Sequence, residues 1–430
     1  MAESDVLLVG TGQVEITPPV GAPLAGGLRP RKSEGVQDPL YAKAIVLESG
    51  GQRLAYVVLD LIALCRAEGD AGVALASQKT GIPEENIVWA ATHTHTGPYT
   101  APLYSNEQET VDREWLATIP SRFAQCVCDA DNFKAPVHMI RASGYNLRVS
   151  QNRRVRLKDG REINVWNLAN LSDDLQCVGA AGPVDPEIGI LAFGDQGGKL
   201  VAVLFHFALH TNTNFGPCFS ADYPAVVASR LAERFGAQVA TLFVPGACGD
   251  LNTPGLTYRQ VGDLLAEGIA ARLAQFEPHA GPVRLGALKR EVDVPFRDFS
   301  VDQEGRIQSS GWPPEAQEVF RREVEIMRAE GVTQAQTILQ AWHIGQVAFV
   351  SLPGELFVEW GLKVKTESPF PWTYPVELGG DYLGYLVTRQ AWEAGGYESL
   401  VATTAKPSVE GVAHMVETGL AMLTELHSHL

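Results

Sequence analysis

Asn86-Ile87-Val88-Trp89-Ala90-Ala91-Thr92-His93-Thr94-His95-Thr96-Gly97-Pro98 is the stretch on which the reading of this chain turns. Its first half is a short apolar run of the length and kind expected of a strand buried on both faces. It leads straight into two histidines separated by one threonine. In extended backbone, residues two apart point to the same side, so both imidazoles are expected to face one place. Gly97-Pro98 then turns the chain away. A His-x-His pair at a strand exit can present metal ligands, or a ligand and an oxyanion donor; a polar pair in a turn is the plainer alternative.

Two more strand-like runs end in the same kind of group. In Leu200 to His210, Val201, Val203, Phe205, Phe207 and Leu209 fill one face, while His206 and His210 share the other with Ala202, Leu204 and Ala208. His206 lies inside the apolar run and reads as a hydrogen-bonded core histidine. His210 opens the polar loop Thr211-Asn212-Thr213-Asn214, where sites tend to lie. The run Val350-Ser351-Leu352 ends in Pro353-Gly354-Glu355, whose carboxylate either belongs to a site or complements the dipole of a helix that it begins. Gly379 to Tyr385 and Gly395-Gly396-Tyr397-Glu398 form loop-like tyrosine and glycine-rich stretches. Imidazole nitrogen and carboxylate oxygen together are donors that zinc favours.

Around these runs, strand-like segments recur at Val6 to Glu15, Tyr41 to Leu47, Leu54 to Leu59, Gly189 to Phe193, Val239 to Val244 and Val283 to Val294. Thr337 to His343 and Val347 to Leu352, joined by Ile344-Gly345-Gln346, read as a hairpin. Helical spacing marks Glu68 to Gln78, Arg113 to Asp129, Tyr223 to Arg234, Tyr258 to Phe276, Pro314 to Glu330 and Val409 to His427. Pro120 should kink or split the second of these. Ser220-Ala221-Asp222 and Asp250 to Thr257 supply capping residues. Strands interleaved with helices, plus a hairpin, predict an α/β fold with a mixed β-sheet and flanking helices, built as a single large catalytic domain over residues 1–430.

Hydrophobic residues make up 45% of the 430 and charged residues 20%, a composition that predicts a large core. The formal net charge of −16 argues against nucleic acid as a partner and against broad docking on anionic membranes. No run of eighteen apolar residues occurs, so no transmembrane segment is expected. Met1 to Thr17 lacks the pattern of an export signal. The six cysteines are scattered, with Cys126 and Cys128 paired inside a helical stretch. Reduced thiols and a cytoplasmic protein are the expectation.

Several stretches, in order along the whole chain, resemble the neutral ceramidases and their bacterial relatives. They are Gln13-Val14-Glu15-Ile16-Thr17-Pro18-Pro19 with Gly21, Thr92 to Pro98, Phe207-Ala208-Leu209-His210, Gly246-Ala247-Cys248-Gly249-Asp250, Pro353-Gly354-Glu355, and Tyr382-Leu383-Gly384-Tyr385 followed by Tyr397-Glu398. The resemblance implies a zinc hydrolase that cleaves an amide (N-acyl) bond with a zinc-activated water. His93, His210, Glu355 and Tyr385 would bind zinc. His95, Tyr397 and an arginine of Asn152-Arg153-Arg154, taken as Arg153, would contact the reacting carbonyl. The substrate would be a small-molecule or lipid-like N-acyl compound, as in sphingolipid metabolism.

Two departures are visible. The expected form is a short relative without the family's C-terminal immunoglobulin-like domain, and Asn252 stands where ceramidases usually have serine. A zinc-dependent esterase or lactonase acting on a small soluble substrate is the alternative, with a zinc-stabilised binding protein behind it. A serine hydrolase is disfavoured, since no Gly-x-Ser-x-Gly elbow occurs. Asp60, at the exit of Leu54 to Leu59, is the expected carboxylate for orienting a site histidine, with Asp222 and Asp250 behind it.

Overall fold

Period-two alternation with apolar residues on both faces demands a sheet covered on both sides, and that is how the long strands pack. The computed structural model describes residues 6–101, 103–104, 110–170, 176–275 and 281–430. Residues 1–5 of the N-terminal stretch, and Phe276 at the expected end of one helix, lie outside the described residues. Eight strands make the main sheet: β1 (Leu8–Glu15), β2 (Tyr41–Ser49), β3 (Gln52–Leu59), β4 (Ile87–Ala91), β5 (Ala135–Tyr145), β6 (Glu187–Asp195), β7 (Leu200–Phe207) and β8 (Ala240–Pro245). Their order is β8-β7-β6-β5-β1-β2-β3-β4. A second sheet of four strands runs β9 (Leu285–Pro295), β10 (Gln334–Ile344), β11 (Val347–Leu352) and β12 (Trp372–Glu377). Three neighbouring pairs are parallel: β3 with β4, β7 with β8, and β11 with β12. The α/β class with mixed sheets and flanking helices therefore holds, with two sheets in place of one.

The two faces of each strand do different work. In β3, Ala55, Val57 and Leu59 share a core with α1 (Arg66–Thr80) and α2 (Ile119–Asn132). Leu54, Tyr56 and Val58 point the other way, into a core shared with Trp342 and Phe349 of the second sheet. Likewise Val203, Phe205 and Phe207 of β7 lie under α3 (Tyr223–Phe235) and α4 (Tyr258–Leu273). Beyond α5 (Pro314–Glu330), Ala348, Val350 and Leu352 of β11 pack with Val364 of α6 (Val358–Glu367) and with α7 (Val409–His427). The result is helix on sheet on sheet on helix, with an apolar sandwich at the centre.

Local chemistry sets the boundaries. The expected helix at Arg113 to Asp129 is split into Arg113–Leu116 and Ile119–Asn132, with Pro120 in the first turn of the second piece, where its missing N–H costs nothing. Asp222 caps α3 and Thr257 caps α4 through a capping box. Glu355 does not begin a helix: it lies in a two-residue strand, Glu355–Leu356, paired with Tyr385–Leu386, and α6 starts only at Val358. A helix-dipole role for this carboxylate falls away with that. Among the described residues, no helix is long and apolar enough to cross a membrane.

Strand twist brings distant ends together. At ~20–25° per step, the seven steps from β8 to β4 accumulate a rotation on the order of 150°. The C-terminal exits of β7 and β8 thereby turn toward those of β3 and β4. The Tyr56 hydroxyl donates to the Phe243 carbonyl across the gap at 2.9 Å. The Thr211 hydroxyl donates to the Thr92 carbonyl at 2.6 Å, tying the two exit loops to each other.

Candidate metal centre

Each parallel pair sends its exit loops to one place. The β3 exit brings Ile62, the β4 exit His93 and His95, the β7 exit His210, and the β8 exit Cys248. From the second sheet come Glu355 after β11 and the Tyr382–Tyr385 loop after β12. The expected reason for the convergence of His93 and His95 needs correcting. The extended run stops at Ala91, and His93 adopts φ 67°, a left-handed conformation that costs a bulky residue about 1–2 kcal/mol. Strain of this kind, held by surrounding structure, is typical of sites.

The imidazoles share one hydrogen-bonding logic. His93 Nδ1 donates to the Ile62 carbonyl at 2.7 Å, His210 Nδ1 to the Cys248 carbonyl at 2.6 Å, and His95 Nδ1 to the Gly26 carbonyl at 3.0 Å. Gly26 must be glycine, because a Cβ there would sit 2.5 Å from the His95 side chain. With Nδ1 protonated in all three rings, every Nε2 presents a lone pair. His93 Nε2 lies 3.1 Å from His210 Nε2 and 3.2 Å from His95 Nε2. Glu355 Oε2 is 3.3 Å from both His93 Nε2 and His210 Nε2, and it has no hydrogen-bond partner.

Lone pairs facing one another at these distances repel unless a cation sits among them. The residues therefore fit a metal ion. The sides of the His93, His210 and Glu355 triangle are also right in size, since tetrahedral zinc bonds of ~2.0–2.2 Å set donor-to-donor edges of about 3.3 Å. The ligating nitrogens of His93, His95 and His210 all lie within 4.8 Å of one another. Burial and the nearby Arg153 guanidinium push His210 down to about 4, so its ring is neutral and able to ligate at ordinary pH.

Carbonyl oxygens, not carboxylates, orient the three rings, which corrects the expectation for the aspartates. Asp60 accepts from the Tyr41 N–H, Asp222 holds the Thr213–Asn214 turn and caps α3, and Asp250 accepts from Asn152 and the Val358 N–H. None of these bonds reaches a site histidine. His206 lies 2% exposed between the sheets, its Nε2 donating to the Pro375 carbonyl at 2.9 Å, as a core histidine should.

Of the two neighbouring arginines, Arg153 reaches the centre. Its Nη1 lies 3.2 Å from His210 Nε2, its Nη2 donates to the Tyr385 hydroxyl at 3.1 Å, and its Nε pairs with Glu398 at 2.8 Å. Arg154 turns away to Glu162 and the other oxygen of Glu398. The Tyr397 ring stands 5.4 Å from that of Tyr385, and its hydroxyl is 2.9 Å from that of Tyr104. All seven expected site residues thus gather within one connected network, and six of them line a cavity of about 380 Å³; His210 belongs to the network but is not part of that lining. The apolar side chains of Leu28, Leu103, Trp166, Phe215 and Trp312 line the same cavity.

Four contributors went unassigned in the sequence. The Tyr382 hydroxyl donates to Glu355 Oε1 at 2.9 Å, and Glu398 anchors Arg153; both stand beside residues already singled out, so proximity in the motif could have found them. Tyr104 and Glu377 had no signal. Neither belongs to a recognisable pattern, and only the fold brings them near.

No family model matches the sequence. Over 201 residues it is 26% identical to the neutral ceramidase of Pseudomonas aeruginosa, covering 45% of this chain and 28% of that protein's length. The fold superposes over 99% of this chain on the crystal structure of neutral ceramidase from Pseudomonas aeruginosa, with a TM-score of 0.74, 19% identity and 75% of that chain covered. In part of its sequence and in its fold, this chain is similar to neutral ceramidase. A structure of ceramidase complexed with C2 aligns equally, with a TM-score of 0.74 at 17% identity over 76% of its length. The sequence alignment takes in little more than a quarter of the neutral ceramidase, whereas the structural match spans nearly all of this chain.

Proposed function

We propose that this chain is a zinc-dependent amidohydrolase cleaving an N-acyl bond. The observation that carries the reading is the triangle of His93 Nε2, His210 Nε2 and Glu355 Oε2, closed by lone pairs and set beside a buried arginine and two tyrosines. On this reading His93, His210, Glu355 and Tyr385 hold zinc, and residues 1–430 act as one catalytic domain. Zinc in that position supplies a Lewis acid that lowers the pKa of water and polarises a carbonyl.

The chain's own groups divide the remaining work. Arg153 is held by Glu398 and Tyr385 so that it stays at the centre as a fixed positive charge. With the Tyr104 hydroxyl, 2.9 Å away, acting as donor, the Tyr397 O–H is left to donate to the carbonyl oxygen as charge develops there, an interaction worth about 2.7–4 kcal/mol. His95 was expected to contact the carbonyl. In its tautomer Nε2 accepts, so it is suited to take a proton from the attacking water, while Arg153 and Tyr397 do the donating. The apolar part of the cavity lining suits a lipid-like N-acyl substrate, in keeping with the likeness to ceramidase.

Metal analysis joined to a substrate panel tests the reading. About one zinc per chain is expected, with turnover of N-acyl amides that His93→Ala and His210→Ala each abolish together with metal. Failure to hold any transition metal after reconstitution would sink it, and so would turnover of esters with none of amides.

A further inference from the structure

The Gly246-Ala247-Cys248-Gly249-Asp250 turn contributes no ligand, yet it is pressed against two of them. The Cys248 carbonyl accepts the Nδ1–H of His210 at 2.6 Å. The Gly249 N–H donates to the Leu356 carbonyl at 2.8 Å, and a Cβ on Gly249 would lie 2.4 Å from the Glu355 carbonyl oxygen, so only glycine allows this approach. One side chain holds the turn to the Glu355 strand. Glu377, the last residue of β12, is 0% exposed. Its Oε2 accepts from the Cys248 N–H at 3.0 Å and from the Leu356 N–H at 3.1 Å, and its Oε1 accepts from the Cys248 thiol at 2.8 Å.

A carboxylate is costly to bury without compensation, and here both partners are backbone segments next to metal donors. Leu356 follows Glu355 in the chain, and Cys248 orients His210. Groups that orient ligands in this way typically change metal affinity by 10–100-fold when removed. We propose that Glu377 is a positioning residue for the metal centre, clamping the Gly246–Asp250 turn to the Glu355 strand and so fixing the relative placement of His210 and Glu355. The inference rests on the metal reading above and adds a residue that reading does not use.

The test measures zinc affinity of the full chain by competition with a chromophoric chelator, alongside thermal unfolding of the metal-free protein. Glu377→Gln keeps the shape but replaces the charge-assisted bonds from the Cys248 and Leu356 N–H groups by weaker bonds to a neutral amide oxygen, and turns an amide N–H toward the thiol. It should weaken zinc binding about 10–100-fold while the metal-free protein unfolds at nearly the wild-type temperature. The His210 Nδ1–H, followed by proton NMR, should exchange faster with solvent. Cys248→Ala removes only the thiol and keeps both backbone contacts, so its zinc affinity should stay within about threefold of wild type, well short of the Glu377→Gln loss. Wild-type zinc affinity in Glu377→Gln overturns the clamp and leaves the functional reading standing. Loss of affinity matched by a collapse in metal-free stability, or in Cys248→Ala as large as in Glu377→Gln, also overturns it. A wild-type chain with no affinity for zinc removes both proposals at once.

Discussion

At the scale of single residues, the proposed function separates groups that would bind metal from groups that would handle the substrate, and the separation can be measured. His95 Nε2 lies 3.2 Å from His93 Nε2, whereas the Glu355 carboxylate pairs with His93 and His210. His95→Gln should keep about one metal per chain and lose kcat by roughly 10²–10⁴, the usual worth of a proton acceptor; metal loss in that variant would make His95 a ligand. Tyr397→Phe should also stay fully loaded, with kcat down roughly 10²–10³. Tyr104→Phe removes the hydroxyl that bonds Tyr397 and Thr404 and should cost less, about 3–10-fold in kcat, following the ~1 kcal/mol of the hydrogen bond lost at Tyr397. Burial, reinforced by the Glu355 charge, pushes Tyr397 up to about 12. Its hydroxyl remains protonated below that pH, so no loss of kcat from its ionisation should appear in a pH–rate profile up to about pH 10, and an alkaline limb near pH 8 that vanishes in Tyr397→Phe would contradict the assignment.

At the scale of elements, β7 puts two histidines four residues apart into opposite roles. His206 is buried between the sheets against Tyr374, and burial pushes it down to about 3. The unfolded chain takes up a proton at His206 below pH ~6.5 while the folded chain refuses it until far lower pH. This residue therefore costs no stability above pH 6.5 and destabilises the fold progressively as pH falls toward 3, by on the order of a few kcal/mol at the end of that window. His206→Ala should keep metal and lower stability at pH 7 by about 2–4 kcal/mol through the cavity it leaves, yet lose less stability than wild type on going from pH 7 to pH 4. Denaturant titrations at the two pH values check both parts, and a metal-free His206→Ala would reverse the roles given to His206 and His210. The strand itself was legible because its alternation is strict. Two other strands were not. β5 carries polar residues such as His138 and Arg141 among its apolar ones, and β12 contains Pro375, which the sheet tolerates because β12 is an edge strand.

At the scale of the whole molecule, the metal centre is small beside the cores on which it rests. Chelation should abolish turnover yet leave the fold intact, since the sandwich between the sheets and the helix-covered outer faces does not depend on one ion. Circular dichroism before and after chelation should be superimposable at 25 °C, with a lowered Tm that returns on adding zinc; global unfolding on chelation would make the site structural. The sequence alone determined the α/β class, the strand exits that end in His93, His210 and Glu355, and the acidic charge, because alternation, punctuation by Gly and Pro, and composition are local properties. It could not determine the order of the strands, since pairing of segments far apart is decided by which faces bury together. Only the tertiary structure decided that twist across eight strands would bring the β7 and β4 exits together, that His93 would take a left-handed backbone, and that backbone carbonyls would choose the tautomer of every site histidine. They depend on contacts between parts of the chain from about thirty to more than a hundred residues apart, and no local pattern encodes them.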